Sequence, residues 1–128
     1  MRKALCVGIN NYSKIIGLSG CVNDAIMIKN TLEYNGDGSK NFDVKLMCST
    51  EQKPYINELK EAVEELFHSE SEIAVFYFSG HGAFDSCGGY LCTSEVERPD
   101  EGLSLNDLMN YVEQSKAQNK VIILDSCH

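Results

Sequence analysis

The chain lacks any apolar run long enough to cross a membrane. Its two longest, Ile73 to Phe78 and Val121 to Leu124, fall far short of the ~20 residues a spanning helix needs. The apolar stretch from Ala4 already stops at Asn10, too short for the core of an export signal, so none is expected. These absences lead us to expect a cytoplasmic protein with no membrane partner. Basic residues are few, 11 Lys and Arg against 19 Asp and Glu, giving a net charge of −8. A chain of that sign repels phosphate backbones, so nucleic acid is not expected as a direct partner. The same acidity is compatible with basic peptides as substrates. No C-x-x-C pair occurs among the six cysteines, Cys6, Cys21, Cys48, Cys87, Cys92 and Cys127. The nearest two, Cys87 and Cys92, have four residues between them, which does not suit a structural zinc site. Without an export signal, the even count does not argue for disulfides either, since cytosolic thiols stay reduced. No metal and no cofactor is expected. Internal repeats, low-complexity segments, a G-x-G-x-x-G run and a phosphate-binding lysine loop are all absent, which weighs against a nucleotide-binding domain.

What is present fits one globular domain. The 128 residues are 43% hydrophobic and 23% charged, enough for one core and too few for two. Ala4 to Ile9 reads as a buried strand, and Cys6 within it as a small buried side chain. Val22, Ala25, Ile26, Lys29 and Leu32 give a mostly apolar helical spacing over 22–34, ended by Gly36, Asp37 and Gly38. Asp43 to Met47 is a short strand. Pro54 opens a second helix, whose apolar face is Ile56, Leu59, Val63, Leu66 and Phe67. Ile73 to Phe78 is apolar on both faces, as a strand covered from both sides must be. Gly88 to Thr93 forms a small strand or hairpin arm. Ser104 caps a helix over 105–114 with Leu108, Met109 and Val112 facing inward, and Lys120 to Leu124 is the last main strand. Strands alternating with helices predict an α/β fold: a largely parallel central sheet, right-handed crossovers and helices on both faces.

The chemistry lies just beyond the strands. The first runs into Gly8, Ile9 and Asn10, the third into Ser79, Gly80, His81 and Gly82, and the last into Asp125, Ser126, Cys127 and His128. In open parallel sheets, functional groups collect at the carboxyl ends of strands. Neighbouring strands lie about 4.8 Å apart, so His81 and Cys127 could meet if theirs are adjacent. A free thiol has a pKa of about 8.5 and needs a base to become a nucleophile. A nearby imidazole can take its proton and later deliver one to a leaving amine. Gly80 and Gly82 would let the backbone turn sharply and a substrate carbonyl approach closely. The amides of Gly82 and Cys127 are candidates to stabilise an oxyanion. His68, at a helix end, and His128, beside Cys127, compete poorly for the role of base.

At this point three motifs resemble one family. Ser79-Gly80-His81-Gly82 resembles the histidine motif of the caspase and metacaspase clan. Asp125-Ser126-Cys127-His128 resembles the metacaspase cysteine motif, and Gly20-Cys21-Val22-Asn23-Asp24-Ala25 the motif that opens the first helix. The histidine and cysteine stand 46 residues apart, near the roughly 50 of caspases. The resemblance implies a caspase–hemoglobinase-like fold over 1–128 and a cysteine endopeptidase with a His81–Cys127 dyad. It also bears on specificity. Caspases cut after aspartate with an arginine before the first helix and a glutamine two residues before the cysteine; Leu18 and Asp125 stand there. Metacaspases cut after arginine or lysine with two aspartates, and those positions hold Asp24 and Asp125. Two carboxylates at a buried rim would pair with a guanidinium or ammonium through charge-assisted hydrogen bonds.

Two departures stand out. Glu95, Glu97, Asp100 and Glu101 are acidic but do not reproduce the metacaspase calcium segment, so the sequence gives no ground for a calcium site. The sequence also stops one residue after Cys127, whereas the family continues with elements that complete the sheet and cleft. The expectation is a large-subunit-like part, incomplete on its C-terminal side and with an open sheet edge. Its partners would be a protein or peptide substrate and the remainder of the peptidase domain or a partner subunit. The alternative is a non-catalytic caspase-like module that regulates or binds a partner.

Overall fold

Among the described residues, six strands and three α-helices follow in the order β1 (Arg2–Gly8), α1 (Cys21–Glu33), β2 (Asp43–Cys48), α2 (Ile56–His68), β3 (Ile73–Asp85), β4 (Gly88–Leu91), β5 (Leu103–Ser104), α3 (Leu105–Glu113) and β6 (Asn119–Cys127). The computed structural model describes residues 1–49 and 54–127, with Cys127 described by its backbone alone. His128 therefore lies outside the described residues. Among the described residues, no helix is long and apolar enough to cross a membrane.

β1 lies between β2 and β3, parallel to both, and β6 pairs in parallel with the other side of β3. This is the largely parallel α/β sheet the alternation predicts. β3 is the hinge of the architecture. Its first nine residues pair with β6, and its last four turn to an antiparallel partner, β4, which in turn pairs with β5. Ala74, Phe76 and Phe78 alternate onto one face with Leu5 and Val7, where α2 contributes Leu59, Val63, Leu66 and Phe67 to the main core. Tyr77, Cys6 and Ala25 form a smaller cluster on the other face, beneath α1. Helices thus cover both faces, and Cys6 is fully buried, with burial pushing its thiol up to about 11.

Helix α1 touches the sheet almost backbone to backbone. A Cβ on Gly8 would lie 2.8 Å from Ala25 Cβ and 2.9 Å from Val22 Cα. The start of α1 is held from a distance: Asn10 Oδ1 accepts from the amides of Cys21 (2.9 Å) and Val22 (3.2 Å). Helix α2 has a remote cap too, because Glu95 Oε2 accepts from the Ile56 amide at 2.9 Å. Pro54 consequently sits just before α2 instead of in its first turn, correcting the sequence expectation. Ser104 does cap α3, accepting from the Asp107 amide at 3.0 Å. Leu108 is buried there, but Met109 is 47% exposed, and Leu105, Tyr111 and Val112 fill the inward stripe instead. The inward set is spaced three or four residues apart, which leaves 109 on the flank.

β6 lies at the edge of the sheet. Val121, Ile123 and Leu124 are each about 40% exposed along it.

Candidate active site

The histidine motif does not follow a strand; it is part of one. β3 continues through Ser79, Gly80, His81 and Gly82 to Asp85, and neither Gly80 nor Gly82 has a positive φ. The expected sharp turn is absent because β6 supports the strand on one side and β4 takes over on the other. The glycines serve close approach instead. A Cβ on Gly80 would lie 2.6 Å from the Tyr12 hydroxyl, and one on Gly82 would lie 3.0 Å from Ser126 Oγ. Cys127 also lies within its strand, and the parallel register sets it directly across from His81. The two residues are therefore partners across a single rung, inside their strands instead of beyond the strand ends.

His81 is held by groups the sequence did not single out. Its Nε2 lies 2.7 Å from the Ile16 carbonyl oxygen, in the loop between β1 and α1. A carbonyl only accepts, so Nε2 carries hydrogen and Nδ1 is the free base of the neutral ring. The Tyr12 ring meets the imidazole edge-on, with centroids 4.8 Å apart. The Tyr12 hydroxyl accepts from the His81 amide at 2.8 Å and donates to the Cys92 carbonyl at 3.3 Å. Burial pushes the Tyr12 phenol far above its ordinary pKa, so it stays neutral and able to do both.

Alternation along β3 sorts the backbone groups. The Ser79 carbonyl accepts from Ile9 on the β1 side, which directs the odd-numbered amides and carbonyls there and the Gly82 amide toward the β6 side. The last rung of the β3–β6 ladder pairs His81 with Cys127, and Gly82 is the next residue along β3.

The two predicted carboxylates come together through β3. Ser79 Oγ lies 3.5 Å from Asp24 Oδ2, and the Tyr77 hydroxyl donates to Asp125 Oδ2 at 3.3 Å. Burial pushes the Tyr77 phenol up to about 12; Ser79 opposes the rise, and the charges of Asp125 and Asp24 add to it. One phenol therefore feels both carboxylates. Asp24 is half-buried, whereas Asp125 is exposed on the edge strand, so the rim is less enclosed than two buried carboxylates would make it. Among the described residues, neither forms a salt bridge. Sequence reading missed Tyr12, Ile16, Tyr77 and Ser79 as site residues. Tyr12 was within reach of the rule that found His81, since it lies just beyond the carboxyl end of β1. Ile16 acts through its backbone and leaves no side-chain signal.

Comparison with known proteins identifies the family of the chain. The family model described as "Caspase domain" matches residues 1–128. A metacaspase-1 of Plasmodium falciparum (isolate 3D7) is 28% identical over 146 aligned positions, covering 99% of this chain and 24% of that protein. A metacaspase-1 of Botryotinia fuckeliana (strain B05.10) is 29% identical, with 99% and 34% covered. Metacaspase-8 of Arabidopsis thaliana is 30% identical, with 99% and 36% covered. The chain spans about a quarter to a third of the length of these relatives. With a parallel α/β sheet, helices on both faces and a family match along its whole length, the chain belongs to the caspase-domain family.

Proposed function

We propose that the protein is a cysteine endopeptidase that cleaves after arginine or lysine, with His81 and Cys127 as the dyad. The observation that carries this is the register of β3 and β6, which sets His81 opposite Cys127 in a caspase-domain chain. The Ile16 carbonyl supports the role of His81, because it fixes the ring with Nδ1 free to accept a proton. In the proposed reaction, Nδ1 takes the Cys127 thiol proton and the sulfur attacks the scissile carbonyl carbon. The amides of Gly82 and Cys127 stabilise the oxyanion. The C–N bond breaks, the imidazolium protonates the departing amine, and water then hydrolyses the thioester.

Asp24 and Asp125 would receive the basic side chain. Tyr77 and Ser79 orient their oxygens, and among the described residues neither carboxylate is paired with an internal cation. A guanidinium or ammonium between them would be bound by charge-assisted hydrogen bonds. The rest of the cleft would come from further residues of the peptidase domain or a partner subunit laid along β6, whose apolar edge is exposed. A cytoplasmic setting suits a catalytic thiol that must stay reduced.

The test uses the complete protein with fluorogenic Arg, Lys and Asp peptides, comparing wild type with Cys127→Ala and Asp125→Asn. Arg and Lys turnover should vanish in Cys127→Ala. In Asp125→Asn, kcat/KM for Arg should fall about 10- to 100-fold, the scale of a lost charge-assisted contact. Turnover that survives Cys127→Ala, or a preference for Asp peptides, would overturn the proposal. Absence of turnover under every condition would favour a binding module that retains the dyad.

A further inference from the structure

The β3–β4 ladder is broken at one rung, and a side chain from another element fills the gap. The antiparallel register pairs Gly82 with Leu91 and Ala83 with Tyr90, so His81 and Cys92 are the next pair in line. The Cys92 amide donates to the His81 carbonyl at 2.9 Å, which marks the pair as hydrogen-bonded. Such a pair normally exchanges both N–H···O bonds. The reciprocal bond is replaced here. The His81 amide donates to the Tyr12 hydroxyl, and that hydroxyl donates onward to the Cys92 carbonyl. One phenolic oxygen has been inserted into the rung, at the point where β3 leaves β6 for β4.

We propose that Tyr12 is a positioning residue for His81: its hydroxyl wedges the β3–β4 ladder open, and this holds the imidazole at the Ile16 carbonyl and in register with Cys127. The proposal rests on the peptidase reading of His81 and Cys127. Three features fit a wedge better than ordinary packing. The hydroxyl satisfies both groups of the broken rung, so neither is left orphaned. The ring is seated edge-on against the imidazole it positions. Residue 80 is glycine where any Cβ would lie 2.6 Å from the hydroxyl. Without the hydroxyl, the His81 amide and Cys92 carbonyl become free to close on each other. Closure draws the His81 backbone toward β4 and the ring away from Ile16 and β6. A misplacement of about 1 Å at a catalytic group can cost on the order of 100-fold in rate.

Tyr12→Phe in the complete protein is the direct test, because it removes the oxygen and keeps the ring. The expected result is a kcat lower by roughly 10- to 100-fold with KM changed less than about two-fold. The pH profile of Cys127 alkylation, read by mass spectrometry of its own peptide, should move with it. Wild type should show an inflection below the ~8.5 of a free thiol, and Tyr12→Phe should shift it back toward that value. A residue that merely stabilised the fold would lower the melting temperature and leave the inflection in place. Gly80→Ala displaces the hydroxyl by another route and should give the same shift, which covers the case where Tyr12→Phe folds poorly. Wild-type kcat and inflection in both variants would overturn the proposal. If wild-type Cys127 itself alkylates like a free cysteine, the peptidase reading fails instead. The wedge is then judged by NMR, through loss in Tyr12→Phe of the resonance of the Nε2 proton bonded to Ile16; retention of that resonance would overturn it.

Discussion

Gly8→Ala should loosen α1 and weaken recognition of basic substrates while sparing the dyad. Gly8 ends β1, and α1 crosses directly over it. A methyl group there would sit 2.8 Å from Ala25 Cβ and 2.9 Å from Val22 Cα, and against the Cys21 carbonyl. Carbon atoms rest about 3.5–4.0 Å apart, so α1 must retreat by about 1 Å. Forcing a methyl into a packed contact costs about 1–3 kcal/mol. That should appear as an earlier denaturation midpoint with an unchanged m-value. The retreat carries Asp24 with it, and the Ser79 Oγ to Asp24 contact is already long at 3.5 Å. The KM for Arg peptides should therefore rise, about 10-fold if one charge-assisted contact worth roughly 1.4 kcal/mol is lost. kcat should hold within a factor of about two, because His81 and Cys127 ride on β3 and β6. Urea denaturation and Arg-peptide kinetics on the same preparation give both numbers. A variant with the wild-type midpoint and KM would refute the close-contact account. A fall in kcat with constant KM would refute the division of labour between α1 and the strands.

Two further outcomes follow from the caps and the buried phenols. Asn10→Ala should cost about 1 kcal/mol by urea denaturation, because the Cys21 and Val22 amides lose their acceptor; Asn10→Asp, which keeps an oxygen there, should recover most of it. Tyr77 should titrate near 12, above the ~10 of a free phenol, when tyrosinate absorbance is followed in folded protein. Because its folded pKa lies above the unfolded value, the neutral phenol's contribution is complete below about pH 10. It is lost as pH rises through about 12, so denaturation midpoints should decline across that window.

The sequence made visible whatever is repeated locally. The inward face of α2 was readable because Leu59, Val63, Leu66 and Phe67 recur at helical spacing, and each is buried. The third strand was readable from Ile73 to Phe78, where every residue is apolar. Its continuation was not, because Ser-Gly-His-Gly has no period of two and stays extended only through neighbours distant in sequence. The caps divide the same way. Ser104 acts three residues away and was found, whereas Asn10 and Glu95 act across 11 and 39 residues and were not. In the site, Asp24, His81, Asp125 and Cys127 carry chemically distinctive side chains and belong to motifs. Tyr12, Tyr77 and Ser79 matter through what they touch, and Ile16 contributes only a carbonyl, which every residue type possesses.

The position of β6 also has a temporal meaning. His81, its Ile16 anchor, Tyr12 and Asp24 all precede residue 93, whereas Asp125 and the proposed nucleophile arrive together on the last strand described. Between them the chain must make β4, β5 and α3. The residues of β1 to β3, α1 and α2 are therefore all synthesised before the proposed nucleophile. On the proposed reading, chemistry would begin only when β6 pairs with β3 in the register that sets residue 127 against residue 81. If the chain is a peptidase, the order of synthesis would then separate building the scaffold from arming it.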